Sequence, residues 1–194
     1  MYLPIIAVGS SAGGVAALET LVAALPAAFP GALLFVNHVA PTFKSQLADI
    51  LARSTALKVQ RATDGDRILA GHVYVAPPDR HLLLEGHGIR VTSGPRESRH
   101  RPSIDVLFRS CSIALGTHAI GVVLSGGLDD GTAGLWMIKD CGGTVIVQDP
   151  DEAEHPAMAE SAISQVETDY IARLEEMPDL FARVMARNAT RAPN

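Results

Sequence analysis

Short apolar runs alternate with helix-like segments along this chain, and that rhythm restricts the fold more than any other feature. The helix-like segments repeat their apolar side chains every three or four residues, and several apolar runs end at glycine. Strands are predicted at 4–9, 32–37, 58–62, 73–75, 118–124, 143–148 and 168–172. Helices are predicted at 13–25, 42–53, 103–115, 131–141, 156–163 and from Pro178 onward. Such alternation predicts an α/β fold, with a doubly wound, mostly parallel sheet and helices on both faces.

One segment breaks the alternation. Residues 81–85 and 89–92 are two short strand-like runs on either side of Gly86-His87-Gly88. This pattern predicts an inserted antiparallel β-hairpin. Thr42 is a candidate N-cap for the second helix. We expect one domain over 1–194, with a polar tail from about 187 to 194 that frays.

Composition excludes several classes of protein. Apolar residues make up 47% of the 194 residues, which is typical of a folded chain rather than a disordered one. The net charge of −5 makes a nucleic-acid partner improbable. No apolar run approaches the roughly 18 residues of a membrane span, and the N-terminus lacks the charged start of a signal peptide. We therefore expect a cytoplasmic protein without a metal site, since its histidines lack metal-ligand spacing and its two cysteines form no C-x-x-C pair.

The first predicted strand ends in Gly9-Ser10-Ser11-Ala12-Gly13-Gly14. Gly9, Ser11 and Gly13 fit the pattern G-x-S-x-G, which is typical of a nucleophilic serine on a sharp turn between a strand and a helix. Ser11 is the candidate rather than Ser10, because only Ser11 lies midway between the two glycines. A phosphate-binding turn or a purely structural turn has a similar composition.

Two other strand ends carry residues that suit a serine nucleophile. His38 follows the second strand, and Asp130 follows Gly126-Gly127 after a later strand. The histidine could equally be a loop residue, and the aspartate a helix cap. However, the carboxyl ends of parallel strands meet at one edge of a sheet. There an imidazole can take the proton of a serine, and a carboxylate can orient the imidazole.

The order of these residues, Ser-His-Asp, differs from the Ser-Asp-His order of α/β-hydrolases. A dinucleotide site would place an acidic residue near the second strand, and none lies between Glu19 and Asp49. At this point the chain resembles the catalytic domain of the CheB protein-glutamate methylesterases. The resemblance extends over almost the whole chain, through 8–14, 37–38, 41–43, 64–66, 71–77, 79–82, 99–108, 121–126 and 130–131.

The resemblance implies a serine hydrolase that demethylates glutamyl methyl esters on the cytoplasmic helices of methyl-accepting chemotaxis receptors. Many members also deamidate receptor glutamines. By position it implies that Ser11 is the nucleophile, His38 the base and Asp130 the orienting acid. It also implies an oxyanion donor at the backbone N–H near Gly127, to which we add the N–H of Ala12 on geometric grounds. No metal or organic cofactor is implied, and contact with the membrane is expected only through the receptors.

The chain also departs from the family pattern. Familiar members carry threonine in place of Ala12, a sequence close to Met-Gly-Asn in place of Gly127-Leu128-Asp129, and proline in place of Ala159. Many also begin with a phosphorylated receiver domain, for which the residues before Ser11 leave no room. We therefore expect an enzyme that is uninhibited in cis or is controlled by a separate receiver or regulatory protein.

Basic residues cluster at 96–101, just before a predicted helix. The resemblance places this segment beside the active site, so Arg99 and Arg101 are candidates for contact with an acidic receptor surface. A solvated loop is the simpler alternative. Two other functions also stay open: a non-catalytic module that binds receptors or signalling proteins, and a carboxylesterase with another substrate.

Overall fold

The computed structural model describes residues 3–38 and 46–190. These residues form nine strands: β1 Ile5–Ser10, β2 Ala32–Asn37, β3 Lys58–Arg61, β4 His72–Val75, β5 His81–Glu85, β6 Gly88–Thr92, β7 Ile120–Val123, β8 Thr144–Gln148 and β9 Tyr170–Ala172. They also form six α-helices: α1 Gly14–Ala24, α2 Leu47–Ser54, α3 Ile104–Leu115, α4 Thr132–Asp140, α5 Ala157–Gln165 and α6 Met177–Ala189.

Seven strands form one parallel sheet in the order β3-β4-β2-β1-β7-β8-β9, and β5 and β6 form a separate antiparallel pair. The predicted doubly wound fold with an inserted hairpin is therefore confirmed. The chain builds outward from β1 in one direction and then returns to add β7 on the other side of β1. This reversal opens a crevice beyond the carboxyl ends of β1 and β7, where ligands bind in open α/β sheets.

Apolar side chains fill both faces of the parallel sheet, because successive residues of a buried strand point in opposite directions. In β1, Ile6 and Val8 join the core beneath α1, α2 and α6. Ile5 and Ala7 join the opposite core, beneath α3, α4 and α5. The hairpin contributes Leu82, Leu84 and Ile89 to this second core. It therefore covers part of the sheet face that a further helix would otherwise occupy.

Some predicted boundaries differ from the structure. His118, predicted to begin a strand, belongs to a 3₁₀ turn at Gly116–His118, and β7 begins at Ile120. The predicted tail from about 187 overlaps the end of α6, which continues to Ala189, and its last residues, 191–194, lie outside the described residues. The proposed N-cap Thr42 lies outside the described residues. Among those residues, no helix combines the length and the apolar character that crossing a bilayer requires.

Candidate active site

The turn after β1 separates the two candidate serines. Ser10 is fully buried, and its hydroxyl donates a 2.8 Å hydrogen bond to Oδ1 of Asn37. Ser11 is partly exposed and lies between the end of β1 and the start of α1. Gly13 adopts a φ of 71°, a left-handed conformation that favours glycine. Ser10 therefore has an internal role, and Ser11 is the serine that a substrate can reach.

Ser125, at the end of the segment that follows β7, holds this turn in place. Its carbonyl accepts the Ser11 N–H at 2.9 Å, and its hydroxyl donates to the Ala12 carbonyl at 2.8 Å. The same hydroxyl accepts the His155 N–H at 3.0 Å. Sequence reasoning missed this role. The available signal was a polar residue directly after a buried strand and before two glycines.

Ser11 and His38 leave neighbouring strands at the same level. Ser10 is paired with Asn37 in the parallel register of β1 and β2, and the His38 N–H donates to the Ser10 carbonyl at 3.1 Å. Adjacent strands are about 4.8 Å apart. The register therefore places the backbones of Ser11 and His38 side by side at this edge of the sheet.

The imidazole of His38, which follows β2, contacts Asp130, which lies in the loop between β7 and α4. Its Nε2 is 2.8 Å from Oδ2 of Asp130, and the exposed fractions of the two side chains are 8% and 1%. An ionised carboxylate can only accept, so Nε2 carries the proton of this hydrogen bond. Nδ1 of His38 is buried and has no hydrogen-bond partner among the described residues. In this tautomer Nδ1 carries no proton and keeps a free lone pair.

Asp130 is held at the N-terminus of α3. Its carboxylate accepts the Ile104 N–H at 2.8 Å, the Asp105 N–H at 3.1 Å and the Ser103 hydroxyl at 2.9 Å. Burial acts to raise the pKa of Asp130, but the hydrogen bonds from His38 and from the helix N–H groups outweigh it and hold this pKa below its usual value. The acid next to His38 is therefore ionised at neutral pH.

Two backbone N–H groups were predicted to form an oxyanion hole. The neighbouring Gly126 N–H is already bonded to the His155 carbonyl at 2.9 Å. Gly127 borders open space, since a Cβ built on it would have no neighbour within 4 Å among the described residues. Leu128 and Asp129 after it are exposed. Ala12 is the exposed residue that follows Ser11 at the beginning of the α1 turn.

His100 lies next to His38. Its ring stacks on that of His38, with centroids 3.6 Å apart and an interplanar angle of 5°. Burial, followed by the neighbouring His38, lowers the pKa of His100. Sequence reasoning treated this histidine only as part of a basic loop.

The two arginines predicted to contact substrate differ in their surroundings. Arg101 donates to Oδ1 of Asp79 through Nη2 at 2.8 Å and through Nε at 3.0 Å. It also donates to the carbonyls of Ser93 at 3.1 Å and Gly94 at 2.8 Å. Its guanidinium is thus hydrogen-bonded within the chain. Arg99 is exposed, with a φ of 69°. Within residues 3–38 and 46–190, no three His, Cys, Asp or Glu side chains are grouped to hold a metal.

Comparisons with known proteins agree with this architecture. A sequence model of the CheB methylesterase family matches residues 6–181. A protein of Geobacter metallireducens named protein-glutamate methylesterase/protein-glutamine glutaminase 1 is 40% identical over 178 residues, which are 90% of this chain. A relative from Leptospira interrogans is 39% identical over 184 residues, which are 94% of this chain.

The chain spans 49% of the length of the Geobacter protein and 95% of that of the Leptospira protein. The crystal structure of the Thermotoga maritima CheB methylesterase catalytic domain superposes with a TM-score of 0.89 and 29% sequence identity. The match covers 95% of this chain and all of that domain, 100% of its length. The family resemblance seen in the sequence is confirmed: this chain belongs to the CheB methylesterase family.

Proposed function

We propose that this chain hydrolyses glutamyl methyl esters on proteins, with Ser11 as the nucleophile, His38 as the base and Asp130 as the orienting acid. One observation carries the proposal. Nε2 of His38 is bound to Asp130, while the buried Nδ1 is unpartnered among the described residues and lies at the strand edge that also bears Ser11. A serine hydroxyl is a weak nucleophile, and a base positioned beside it is what makes it reactive.

The reaction divides into two steps. In the first, the Ser11 hydroxyl attacks the ester carbonyl and His38 Nδ1 accepts its proton, so that a new C–O bond forms. The backbone N–H groups of Gly127 and Ala12 stabilise the oxyanion. The tetrahedral intermediate then collapses, and methanol leaves with the proton returned by His38. In the second step, water attacks the acyl-enzyme and His38 accepts its proton, then returns it to the Ser11 oxygen, so that the side chain of the substrate protein leaves as a glutamate carboxylate.

Throughout the cycle Asp130 stays ionised. Its charge stabilises the imidazolium that forms when Nδ1 accepts a proton, and the Nε2–Oδ2 hydrogen bond keeps the ring oriented. The low pKa of Asp130 supports this role, because a protonated acid would offer neither effect.

The substrates we propose are the methylated cytoplasmic helices of chemotaxis receptors, so the enzyme would work in the cytoplasm. The relatives named protein-glutamate methylesterase/protein-glutamine glutaminase support glutamyl methyl esters of a protein as the substrate class, and the exposed Arg99 next to His100 could meet an acidic receptor surface. The same acyl-enzyme chemistry applied to a glutamine side chain releases ammonia in place of methanol. We therefore include receptor glutamine deamidation as a second reaction of the same site.

The test measures methanol release from a purified receptor signalling domain that has been methylated in vitro. Ser11→Ala is expected to lower kcat by roughly three or more orders of magnitude, as losses of triad residues do. Ser164→Ala, which truncates an exposed serine of α5, is the matched control. Ser10→Ala distinguishes the adjacent serines and should retain turnover within about tenfold, since only a net hydrogen bond of about 1 kcal/mol is lost. Equal methanol release by wild type and Ser11→Ala would contradict the proposal.

A further inference from the structure

A second buried carboxyl group lies next to Asp130. Asp105 is the second residue of α3 and has an exposed fraction of only 5%. It belongs neither to the proposed triad nor to the proposed oxyanion hole. Burial of a carboxyl group is unfavourable unless the group is hydrogen-bonded or paired with a charge.

The hydrogen bonds of Asp105 and Asp130 form a reciprocal pair of helix caps. Asp130 precedes α4, yet its carboxylate accepts N–H groups at the start of α3, from Ile104 and Asp105. Asp105 lies in α3, yet its Oδ1 accepts N–H groups at the start of α4, from Gly131 at 3.0 Å and Gly134 at 2.7 Å. Each helix N-terminus is thus capped by a carboxylate that lies in, or just before, the first turn of the other helix.

Through these hydrogen bonds, Asp105 contacts the turn that sets the position of the Asp130 side chain. Asp130 lies between Leu128, with a φ of 65°, and Gly131, with a φ of 105°. Leu128 is not a glycine, so its left-handed conformation persists only where the surrounding structure holds it. The Asp105 Oδ1 fixes the N–H of Gly131, directly after Asp130, and the Asp105 N–H binds Oδ1 of Asp130 itself.

We propose that Asp105 is a positioning residue of this active site, which locks the Asp130 turn so that Oδ2 stays in line with Nε2 of His38. The proposal rests on the function proposed above for Asp130 and His38. Asp105 makes no contact with either ring nitrogen of His38 and therefore acts through Asp130. Burial and the nearby charge of Asp130 raise the pKa of Asp105 to about 6, which agrees with two acids sharing one buried space.

The first experiment compares Asp105→Ala with Asp105→Asn in methanol-release kinetics. The alanine variant loses both N–H contacts, and kcat is expected to fall about 10- to 100-fold with KM changed less than about twofold, since small misplacements of catalytic groups have effects of this size. The asparagine variant keeps an oxygen that can accept from Gly131 and Gly134, so it should recover most of kcat. It also lacks the titration that Asp105 undergoes at a pKa of about 6, so its pH–rate profile should differ from that of wild type near that pH.

Asp169 provides a matched control, since its carboxylate also accepts a backbone N–H, that of Val145 at 2.8 Å, at a strand end away from the site. Asp169→Asn should leave the pH–rate profile unchanged. If Asp105→Ala fails to fold, Asp105→Asn alone decides the matter. A wild-type kcat and pH–rate profile in Asp105→Asn, or a kcat in a folded Asp105→Ala equal to that of wild type, would overturn the proposal.

A second measurement requires no substrate. The proton shared by His38 Nε2 and Asp130 Oδ2 should give a far-downfield ¹H NMR resonance, assigned by its loss in His38→Gln. Asp105→Ala should shift or broaden this resonance, whereas Asp169→Asn should not. If the wild-type enzyme released no methanol while the resonance still responded to Asp105, the proposed function would fail and the positioning role would stand. An unchanged resonance in Asp105→Ala would overturn the positioning role.

Discussion

His100 lies flat against His38, with ring centroids 3.6 Å apart and planes inclined by 5°. The stack restrains the plane of the ring that Asp130 orients from the side. It also couples the charges of the two rings, because a proton on one imidazole disfavours a proton on the other. The segment that carries His100 is therefore a structural part of the active site.

The stack predicts unequal effects for two His100 variants. Aromatic pairs are worth about 0.5–1.5 kcal/mol, so His100→Ala should reduce kcat by a factor of about 2 to 10 as the His38 ring loses its support. His100→Phe keeps a flat ring and should retain more activity. Methanol-release kinetics measure both variants, with His87→Ala, at an exposed histidine of the hairpin turn, as the control. Lower activity in the phenylalanine variant than in the alanine variant would argue against support by stacking.

Because the pKa of His100 is lowered in the folded chain, this residue should lower the free energy of unfolding as the pH falls. The unfolded chain, with an ordinary histidine pKa near 6.5, binds a proton more readily than the folded chain does. Stability contributed by this group is therefore present at neutral pH and is lost as the pH falls through about 6.5. Urea unfolding of wild type and His100→Phe at pH 5 and pH 8 should show a smaller pH effect in the variant.

Asp105 should change the free energy of unfolding with pH in the direction opposite to His100, and at lower pH. Its pKa is raised to about 6 in the folded chain, from about 3.9 when unfolded. The folded chain binds more protons between these values, so this residue lowers stability as the pH rises from about 4 to 6. Removing the titration with Asp105→Asn should eliminate a loss of about 3 kcal/mol over that interval. Free energies of unfolding measured at pH 4 and pH 7 for both proteins test this prediction.

β1 packs closely on α3 at Gly9, which leaves no room for a larger side chain. A Cβ at Gly9 would lie 2.2 Å from Cγ2 of Ile104, so Gly9→Ala should destabilise the fold by about 1–3 kcal/mol, the usual cost of overpacking. Ile104→Ala removes the clashing atom but creates a cavity. The double variant should therefore be more stable than the sum of the two single effects predicts, as measured by urea unfolding in a double-mutant cycle. Additive effects would contradict direct contact.

Substitutions of Arg99 and Arg101 should affect different kinetic constants. Arg99 is exposed, so Arg99→Ala is expected to raise KM for a receptor substrate at low salt more than KM for a small methyl ester. Arg101 anchors its segment to Asp79 and to two carbonyls, so Arg101→Ala should lower kcat for both substrates by displacing His100. Steady-state kinetics with the two substrates measure the difference. A selective KM effect of Arg101→Ala would show that this side chain binds substrate directly.

Much of the fold was predictable because its strands are buried on both faces and read as continuous apolar runs bounded by glycine or polar residues. The residues 32–37, for example, are predicted and observed with the same ends. Ser11, His38 and Asp130 were accessible as candidates for a related reason. Each lies after the end of a buried apolar strand, and the carboxyl ends of parallel strands meet at one edge of the sheet.

Asp105 and His100 could not be predicted in the same way. An acidic residue in the first turn of a helix is expected to stabilise its own helix dipole, and nothing local reveals that Asp105 caps a different helix. His100 lies in a basic stretch that is typical of a solvated loop, and its stacking depends on how that loop folds back. Both contacts join segments separated by tens of residues, so they follow from packing rather than from a local pattern.

The pairing of Ser10 with Asn37 has a consequence for how such a site can diverge. The spacing between the backbones that carry Ser11 and His38 is fixed by the pairing of two adjoining strands, whereas the segments 96–101 and 127–129 lie outside that ladder. A change in these segments alters what surrounds Ser11 and His38 but does not alter the backbone spacing between them. The sheet therefore conserves that spacing, while the loops can change the surface that a protein target meets.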